Sequence, residues 1–460
     1  MCWASAPLIY NRSLAMMKQL LTLFFCIAML PGSAQKARPA AFNAANRLRD
    51  LSDSALLDLV QRQTFRYFWD FADPVSGMAR ERSNEDAGYG HETAATGGTG
   101  FGMMGVIVAA ERKWISRDTA AKFVLKLVNF LLKADAYHGA FPHWMNGATG
   151  KTIPFSRKDD GADLVETAYL FEGLLCARQY FNADNDTENA LRARINWLWN
   201  GVEWNWFTRD GQDVLYWHWS PNNGWAMNNP IRGFNECLIT YVLAASSEEY
   251  PINPSVYHRG WATSNYFING KEFMGHRLPL GFDYGGPLFF SHYSFLGLDP
   301  RGLKDAYADY WEQNKNHTLI NHDYCVANPQ KFKGYGANCW GLTASDTYDG
   351  YDAHSPTNDK GTITPTAALS AFPYTPEYSM QALKHFYYDL GDKLWSEYGF
   401  IDAFNEGRNW YAHSHLAIDQ GPIIGMIENY RSGLLWKLFM SCPEVKNGLK
   451  RLGFESPALH

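Results

Sequence analysis

The amino-acid sequence predicts an all-α fold, specifically a toroid of six helical hairpins, or (α/α)6 barrel, with long loops on one face. Three observations support this. Amphipathic segments alternate with segments that are apolar on every side, the alternation can be counted six times, and long polar connections precede the apolar segments. An amphipathic helix faces water on one side, whereas a helix that is apolar all round is buried. An α-solenoid is the competing architecture, but it does not need such unequal loops.

The first half of the chain shows the alternation most clearly. Ser52 or Asp53 is expected to cap one amphipathic helix and Ser116 another, because these residue types are favoured N-caps. A third amphipathic helix is predicted over 188–200. The apolar segments that alternate with these helices are 101–110, 163–180 and 233–245.

The second half repeats the pattern less regularly. Its predicted outer elements are 254–269, 303–314 and 377–389. Its predicted inner elements are 287–296, 365–372 and 421–440. The long connections before the inner elements are 73–98, 137–161, 201–232, 276–286, 316–364 and 391–420. Loops of this length in a compact domain are usually functional, so we expect a site where the inner helices begin.

The N-terminal residues resemble a signal peptide with an extended start. The charged stretch from Met17 is followed by a short apolar run over 20–30 and by small residues up to Ala34, where cleavage is expected. The run is too short for a stable membrane anchor, although a buried N-terminal helix is an alternative. The sequence therefore predicts a signal peptide over 1–34, a flexible arm over 35–50, one catalytic domain over 51–460, and a periplasmic or secreted protein.

The composition narrows the class of partner. The net charge is -6 with no run of Lys or Arg, which argues against nucleic-acid binding. Aromatic residues make up 15% of the chain, with 17 Trp, 26 Tyr and 28 Phe. Aromatic rings with polar edges suit the faces of sugars, although a Trp-rich core is an equal alternative. A neutral polysaccharide or oligosaccharide is the partner that fits both observations.

The cysteines and histidines give no sign of a metal. No CxxC pair or HExxH motif is present, so we predict no metal and no cofactor. Two of the seven cysteines lie in the predicted signal peptide. Cys325 and Cys339 flank a loop and could pair in an oxidising compartment, although their spacing cannot establish a disulfide.

Four acidic residues crowd the start of the second inner helix. They are Asp159, Asp160, Asp163 and Glu166. Acids in a first turn complement the helix dipole and cap free N–H groups, which is the purely structural alternative. One cap suffices, however, and four acids within eight residues repel one another and raise at least one pKa. We therefore predict Asp163 and Glu166 as catalytic residues and Asp159 as a substrate contact.

Two further acids open other inner helices. Glu236 is expected to begin the third inner helix, and a carboxyl group with a raised pKa there would suit a general acid. Its alternative is an ion pair with Arg232. Asp419 opens the last inner helix and is predicted to contact substrate or act as a base, with helix capping as the alternative. Glycoside hydrolysis requires two carboxyl groups, and their separation distinguishes inversion from retention.

Aromatic and histidine side chains line the long loops. Several stacking platforms along one cleft suggest several sugar subsites, although any single Trp could be structural. The predicted substrate contacts are His143, Trp144, Tyr216, Trp217, His218 and Trp225, and Trp340 belongs to the same pattern.

Four segments carry a resemblance to a known family. They are 216–221, 233–236, 280–289 and 362–368. With these segments the chain resembles the bacterial glucoamylase-like family and, more narrowly, the endo-β-1,2-glucanases of glycoside hydrolase family 144, from about Leu51 to Leu452. The resemblance implies an (α/α)6 barrel, export, and inverting cleavage of linear β-1,2-glucan to sophoro-oligosaccharides. It also implies that Asp159, Asp163, Glu166 and Glu236 line the site.

Two other functions are compatible with the sequence. A polysaccharide lyase on the same toroid would use His218, His292 or Tyr293 to abstract a proton, but it would need cations for a uronate, and the aromatic loops carry few. A non-catalytic surface glycan-binding protein would leave its oligosaccharide unchanged.

Overall fold

The protein consists mainly of helices, and buried helices alternate with amphipathic ones along the chain. The structure is a computed structural model that describes residues 47–85 and 87–459. The predicted signal peptide and most of the predicted arm lie outside these residues, so both stay predictions. At the described end of the arm, the Arg47 guanidinium pairs with Asp392 at 2.6 Å. Within the described ranges, no helix has the length and hydropathy needed to cross a membrane.

The first six helices follow the predicted alternation. They are α1 Asp53–Trp69, α2 Thr96–Glu111, α3 Arg117–Leu131, α4 Leu164–Tyr180, α5 Asp186–Asn200 and α6 Leu238–Ser246. Ser52 and Ser116 cap α1 and α3, as predicted, by accepting hydrogen bonds from backbone N–H groups three residues on. Every residue of α2 except the last is buried, as is every residue of α4 up to Ala177. The predicted (α/α)6 barrel is confirmed.

The second half contains two long helices and five with nine residues or fewer. They are α7 Tyr310–Ala327, α8 Pro365–Leu369, α9 Pro376–Lys384, α10 Gly391–Leu394, α11 Ala417–Arg431, α12 Leu434–Met440 and α13 Pro443–Arg451. Two π-helical segments are Val256–Ala262 and His385–Asp389. The 3-10 turns are Trp204–Thr208, Asp283–Gly285, Leu288–Ser291, Tyr293–Phe295 and Pro457–Leu459.

Several predicted boundaries were wrong. The third inner helix begins at Leu238 rather than at residue 233, because Gly233 adopts a left-handed φ of 75° and the chain turns before the helix starts. The predicted outer helix over 303–314 is displaced: α7 begins only at Tyr310, after its N-cap Asp309, and runs far into the predicted loop. The inner element 287–296 consists of two 3-10 turns. The element 421–440 is broken at Gly433, whose φ is 68°.

Short strands organise the loops. Strands β1 Thr93–Ala95, β2 Trp144–Asn146 and β3 Thr152–Ile153 form one antiparallel sheet, and β4 Ala162–Asp163 pairs with β5 His218–Trp219. The remaining strands form four antiparallel hairpins. They are β6 Glu272–Phe273 with β7 His276–Arg277, β8 Ala344–Thr347 with β9 Gly350–Ala353, β10 Trp395–Ser396 with β11 Gly399–Phe400, and β12 Phe404–Asn405 with β13 Trp410–Tyr411.

The inner helices α2 and α4 approach each other through glycines. A Cβ on Gly100 would lie 2.2 Å from the carbonyl oxygen of Tyr169, and a Cβ on Gly173 would lie 2.1 Å from the carbonyl oxygen of Gly100. Distances this short exclude any side chain at either position. The two helix N-termini, which carry or face the predicted acids, are therefore held close together.

Candidate active site

Asp163 caps the buried helix α4 and is the most highly connected acid of the site. Its Oδ1 accepts hydrogen bonds from the N–H groups of Val165 and Glu166 at 3.0 and 2.9 Å. Its Oδ2 lies 2.9 Å from Nδ1 of His143 and 3.5 Å from Nε2 of His218. Burial would raise the pKa of Asp163, but the hydrogen bonds from the two histidines hold it below its usual range. Asp163 is therefore ionised and fixed in place.

The strand pair β4–β5 brings His218 to the acids. Asp163 and His218 are directly opposite each other in the register, although they are far apart in sequence. Nε2 of His218 also lies 3.2 Å from Oδ2 of Asp159. On the other side, burial would lower the pKa of His143, but Glu166 and Asp163 raise it to about 9. His143 thus carries a positive charge at neutral pH, in a site dominated by carboxylates.

Glu166 reaches across to the neighbouring inner helix. Its Oε2 accepts a hydrogen bond of 2.7 Å from the N–H of Gly97, in the first turn of α2. N–H groups in a first turn have no partner within their own helix, so the Glu166 carboxylate supplies one. The pKa of Glu166 is raised to about 7, mainly by burial. The charge of Asp163 adds to this rise, and the charge of His143 opposes it. Glu166 can therefore hold or release a proton near neutral pH.

The other two acids of the crowded segment point in different directions. Burial raises the pKa of Asp159 to about 6, with His218 opposing the rise. Asp160 faces away: its carboxylate accepts hydrogen bonds from Ser220 and from the amide of Asn222, the latter at 2.7 Å. Asp160 therefore anchors the 220–223 turn, and Asp159, Asp163 and Glu166 form the acid cluster.

Glu236 lies in the turn before α6 rather than in the helix, which corrects the predicted helix start. Burial raises the pKa of Glu236 to about 7, and the charges of Asp163 and Glu166 add to the rise. Arg232 is not its partner, since the Arg232 guanidinium donates to the carbonyl of Gly260 at 2.9 Å. Apart from its own backbone N–H, no hydrogen-bond partner of the partly exposed Glu236 carboxyl is found in the described part of the chain.

Asp419 belongs to a second group of acids beside the first. It lies in the first turn of α11, which begins at Ala417 rather than at the predicted residue 421. Burial raises the pKa of Asp419 to about 7 while a hydrogen bond with Asp402 lowers it, and burial raises the pKa of Asp402 well above its usual value. The charge of Asp419 adds to the rise at Asp402, so the two carboxyls are not both ionised at neutral pH. The Tyr293 hydroxyl lies 3.4 Å from Oδ1 of Asp419.

Tyr293 connects the two acid groups. The charges of Asp419, Glu236 and Glu166 all raise its pKa, after the larger effect of burial. Its ring also packs against Tyr169 and Phe101, with centroids 5.7 and 5.3 Å away. Asp402 and the bridging position of Tyr293 were not predicted, because neither residue stands beside an acidic motif in the sequence.

The predicted aromatic contacts have different environments. The Trp217 ring is partly buried and stacks on His218, with planes 13° apart. Trp144 is partly buried beside Tyr89, at a centroid distance of 4.7 Å. Tyr216 is buried and packs against the partly exposed Trp225 at 5.6 Å. Their roles as substrate contacts stay predictions.

Three expectations about single residues are corrected or extended. Trp340 is fully buried, so it is a core residue and not a sugar platform. Cys325 and Cys339 are both free, so they form no disulfide. His143, Asp159 and Asp163 place ligand atoms within 4.8 Å of one another, a separation that a metal ion could bridge. The hydrogen bond between His143 and Asp163 and the contact of Asp159 with His218 already account for this arrangement.

Comparison with known proteins identifies relatives over most of the chain. Residues 228–443 match a protein family described as "Putative glucoamylase". A crystal structure from Bacteroides uniformis with the same description is 64% identical, with a TM-score of 0.88, over 90% of this chain and all of that one. An endo-β-1,2-glucanase from Chitinophaga pinensis, solved with sophorotriose and glucose, is 56% identical, with a TM-score of 0.87, over 89% of this chain and all of that one.

A curated relative extends beyond the region it shares with this chain. It is an exo β-1,2-glucooligosaccharide sophorohydrolase (non-reducing end) from Parabacteroides distasonis, 45% identical over an alignment of 423 residues that covers 87% of this chain. The chain spans 58% of the length of that relative. Since it covers the whole of two solved structures at 64% and 56% identity, the chain belongs to the bacterial glucoamylase-like family, which includes the β-1,2-glucanases of glycoside hydrolase family 144.

Proposed function

We propose that this protein is an exported glycoside hydrolase that cleaves linear β-1,2-glucan internally, giving sophoro-oligosaccharides with inversion at the anomeric carbon. The observation that carries the proposal is the 56% identity with an endo-β-1,2-glucanase over the whole of its solved chain, combined with the carboxyl groups gathered at the starts of α2, α4 and α6. These groups supply the acid and base chemistry that glycoside hydrolysis requires.

Glu236 is the proposed general acid. It must carry a proton at working pH and reach the leaving oxygen of the glycosidic bond. Its pKa of about 7 keeps it substantially protonated near neutral pH. Its partial exposure and lack of another side-chain partner within the described residues leave the proton free for the substrate.

The proposed base, which activates water, is one of two buried carboxyls. Glu166 and Asp419 have pKa values raised to about 7, and both influence Tyr293, as Glu236 does. Asp163 is a positioning residue, because its two carboxylate oxygens are occupied by backbone N–H groups and histidines. It holds His143 beside the acids, and the positive charge of His143 limits their repulsion.

The structure argues against the lyase alternative. Burial lowers the pKa of His292 to about 3, so this histidine is neutral, but it is almost completely shielded from solvent. Burial and the charge of Asp419 raise the pKa of Tyr293 well above its usual value, which disfavours a phenolate base. The nearby carboxylates would also repel the carboxylate of a uronate substrate.

Incubation with linear β-1,2-, β-1,3-, β-1,4- and α-1,4-glucans tests the proposal. We expect chromatography to show a ladder of sophoro-oligosaccharides from β-1,2-glucan alone. Glu236→Gln should lower kcat by at least about 100-fold with little change in the circular dichroism spectrum. A product that absorbs in the near ultraviolet would establish a lyase. Unchanged oligosaccharides that still bind would establish a glycan-binding protein.

Azide identifies the base. In an inverting enzyme that lacks its base, azide can replace activated water and restore turnover as a glycosyl azide. We expect rescue of either Glu166→Gln or Asp419→Asn, and no rescue of Glu236→Gln with an unactivated leaving group. Nuclear magnetic resonance of the first product formed reports its anomeric configuration. Formation of the β-anomer first would contradict inversion of a β-linkage.

Exo-action is the second candidate, because the relative from Parabacteroides distasonis is named a sophorohydrolase acting at the non-reducing end. Early products separate the two modes. Mixed chain lengths at low conversion indicate internal cleavage, whereas sophorose alone indicates exo-action.

Export is tested by expressing the full chain with an epitope after residue 460 in a Gram-negative host. Periplasmic enrichment is expected, and deletion of 1–34 should keep the protein in the cytoplasm. If the intact chain stays cytoplasmic, the signal-peptide prediction fails.

A further inference from the structure

A cysteine, a histidine and a glutamate from three separate segments lie close together outside the candidate active site. Cys339, His385 and Glu406 each place one ligand atom within 4.8 Å of the other two. Cys339 lies in the loop after α7, His385 begins the π-helical segment after α9, and Glu406 lies in the turn of the β12–β13 hairpin. None of the three belongs to the acid groups of the candidate active site.

The surrounding chain prepares two of these ligands. Nδ1 of His385 lies 2.8 Å from Oδ2 of Asp389, so its other ring nitrogen, Nε2, is available. Metal-bound histidines commonly donate their second nitrogen to a carboxylate, which fixes the ring and its tautomer. The carboxylate of Glu406 passes directly over Gly334, where an added Cβ would lie 2.3 Å from Oε1. Gly334 has a φ of 91°, a left-handed conformation that favours glycine, so no side chain stands between its backbone and this carboxylate.

We propose that Cys339, His385 and Glu406 form a zinc-binding site that joins the loop after α7, the end of α9 and the β12–β13 hairpin. Thiolate, imidazole and carboxylate are the three protein ligand types that Zn²⁺ accepts, and it binds them in tetrahedral geometry. A water molecule takes the fourth position, because His385 and Glu406 are partly exposed while Cys339 is buried. A site that ties three segments together stabilises the fold.

The charges around the site are compatible with a divalent cation. Burial, Glu406 and Cys325 raise the pKa of the Cys339 thiol well above its usual value, so the thiol is protonated without metal. Zinc binding therefore replaces the S–H bond with an S–Zn bond and releases one proton to solvent. The charge of Glu406 acts on Lys393, whose ammonium group donates to the Tyr411 hydroxyl at 2.8 Å.

Cobalt substitution of the full protein tests the proposal, because Co²⁺ bound by a thiolate gives a charge-transfer band in the near ultraviolet. After chelation and dialysis, we expect one Co²⁺ per chain with that band, competition by Zn²⁺, and a higher unfolding temperature with Zn²⁺ than with a chelator. Asp389→Asn, which frees the His385 ring, should weaken Zn²⁺ binding about 10-fold.

Matched variants decide which cysteine is involved. Cys339→Ser, His385→Gln and Glu406→Gln should each remove the band. His385 and Glu406 are partly exposed, so their variants test the site even if Cys339→Ser, at a buried position, fails to fold. Cys325→Ser removes the neighbouring buried thiol and should keep the band. The proposal is overturned if the band is absent or if it survives in Cys339→Ser. Metal bound without any thiolate signal also overturns it, because such metal could lie at His143, Asp159 and Asp163, which offer no sulfur.

Discussion

Replacement of Glu236 by glutamine should remove activity. The same replacement should also stabilise the protein, and this stabilisation should appear only at high pH. The folded protein raises the pKa of Glu236 from 4.5 to about 7, mainly through burial. As pH rises through this window, the unfolded chain loses its proton first, so wild-type stability falls and the full cost is present above pH 7. At about 1.4 kcal/mol per pH unit, the difference corresponds to about 3 kcal/mol, and partial solvent contact reduces it to between about 1 and 3 kcal/mol.

Urea unfolding at pH 4 and pH 8.5 measures this effect. The variant and the wild type should have similar free energies of unfolding at pH 4, where both side chains are neutral, whereas at pH 8.5 the variant should be the more stable. Glu248→Gln, at an exposed position, is the control and should show no pH-dependent difference. The reasoning is refuted if Glu236→Gln is destabilised at pH 8.5, or if its effect is the same at both pH values.

Three other changes test the packing and the electrostatics. Asp163→Asn should lower the free energy of unfolding by about 3 kcal/mol at neutral pH, because an ionised helix cap with several hydrogen-bond partners is lost. Urea unfolding measures this loss. The difference should diminish at low pH, where the low native pKa of Asp163 no longer contributes to stability. Gly100→Ala should cost at least about 2 kcal/mol, since the added Cβ meets the Tyr169 carbonyl at 2.2 Å, and an unchanged midpoint would contradict this close approach. His143→Gln should shift the pH profile of kcat/KM to higher pH, because loss of a positive charge raises the pKa of Glu166; an unshifted profile would show that Glu166 does not govern the rate.

The predictable part of the site was local in sequence. The capping preference of Asp163 and the apolar pattern after it correctly located the start of α4. A spacing of three residues would place Asp163 and Glu166 on nearly the same face of a helix. They diverge because the cap side chain turns back to the backbone while Glu166 reaches Gly97. A helix pattern contains no information about a partner on another helix.

The remaining errors arose where tertiary contacts override the apolar pattern. The run over 287–296 is apolar enough for an inner helix, yet it forms two 3-10 turns that hold Tyr293 between the acid groups. The cross-strand pairing of Asp163 with His218 depends on a two-residue ladder, which is too short to leave an alternating pattern in the sequence. The three residues of the proposed zinc site lie in distant segments and match no sequence motif.

The glycine contact between α2 and α4 has a consequence for acid–base chemistry. Gly100 and Gly173 fix how far one helix can slide along the other, and this setting places the Gly97 N–H at 2.7 Å from Glu166. A small displacement of either helix would lengthen that hydrogen bond and change the proton affinity of the carboxyl group. Residues that never meet substrate would thereby set the pH at which the enzyme works.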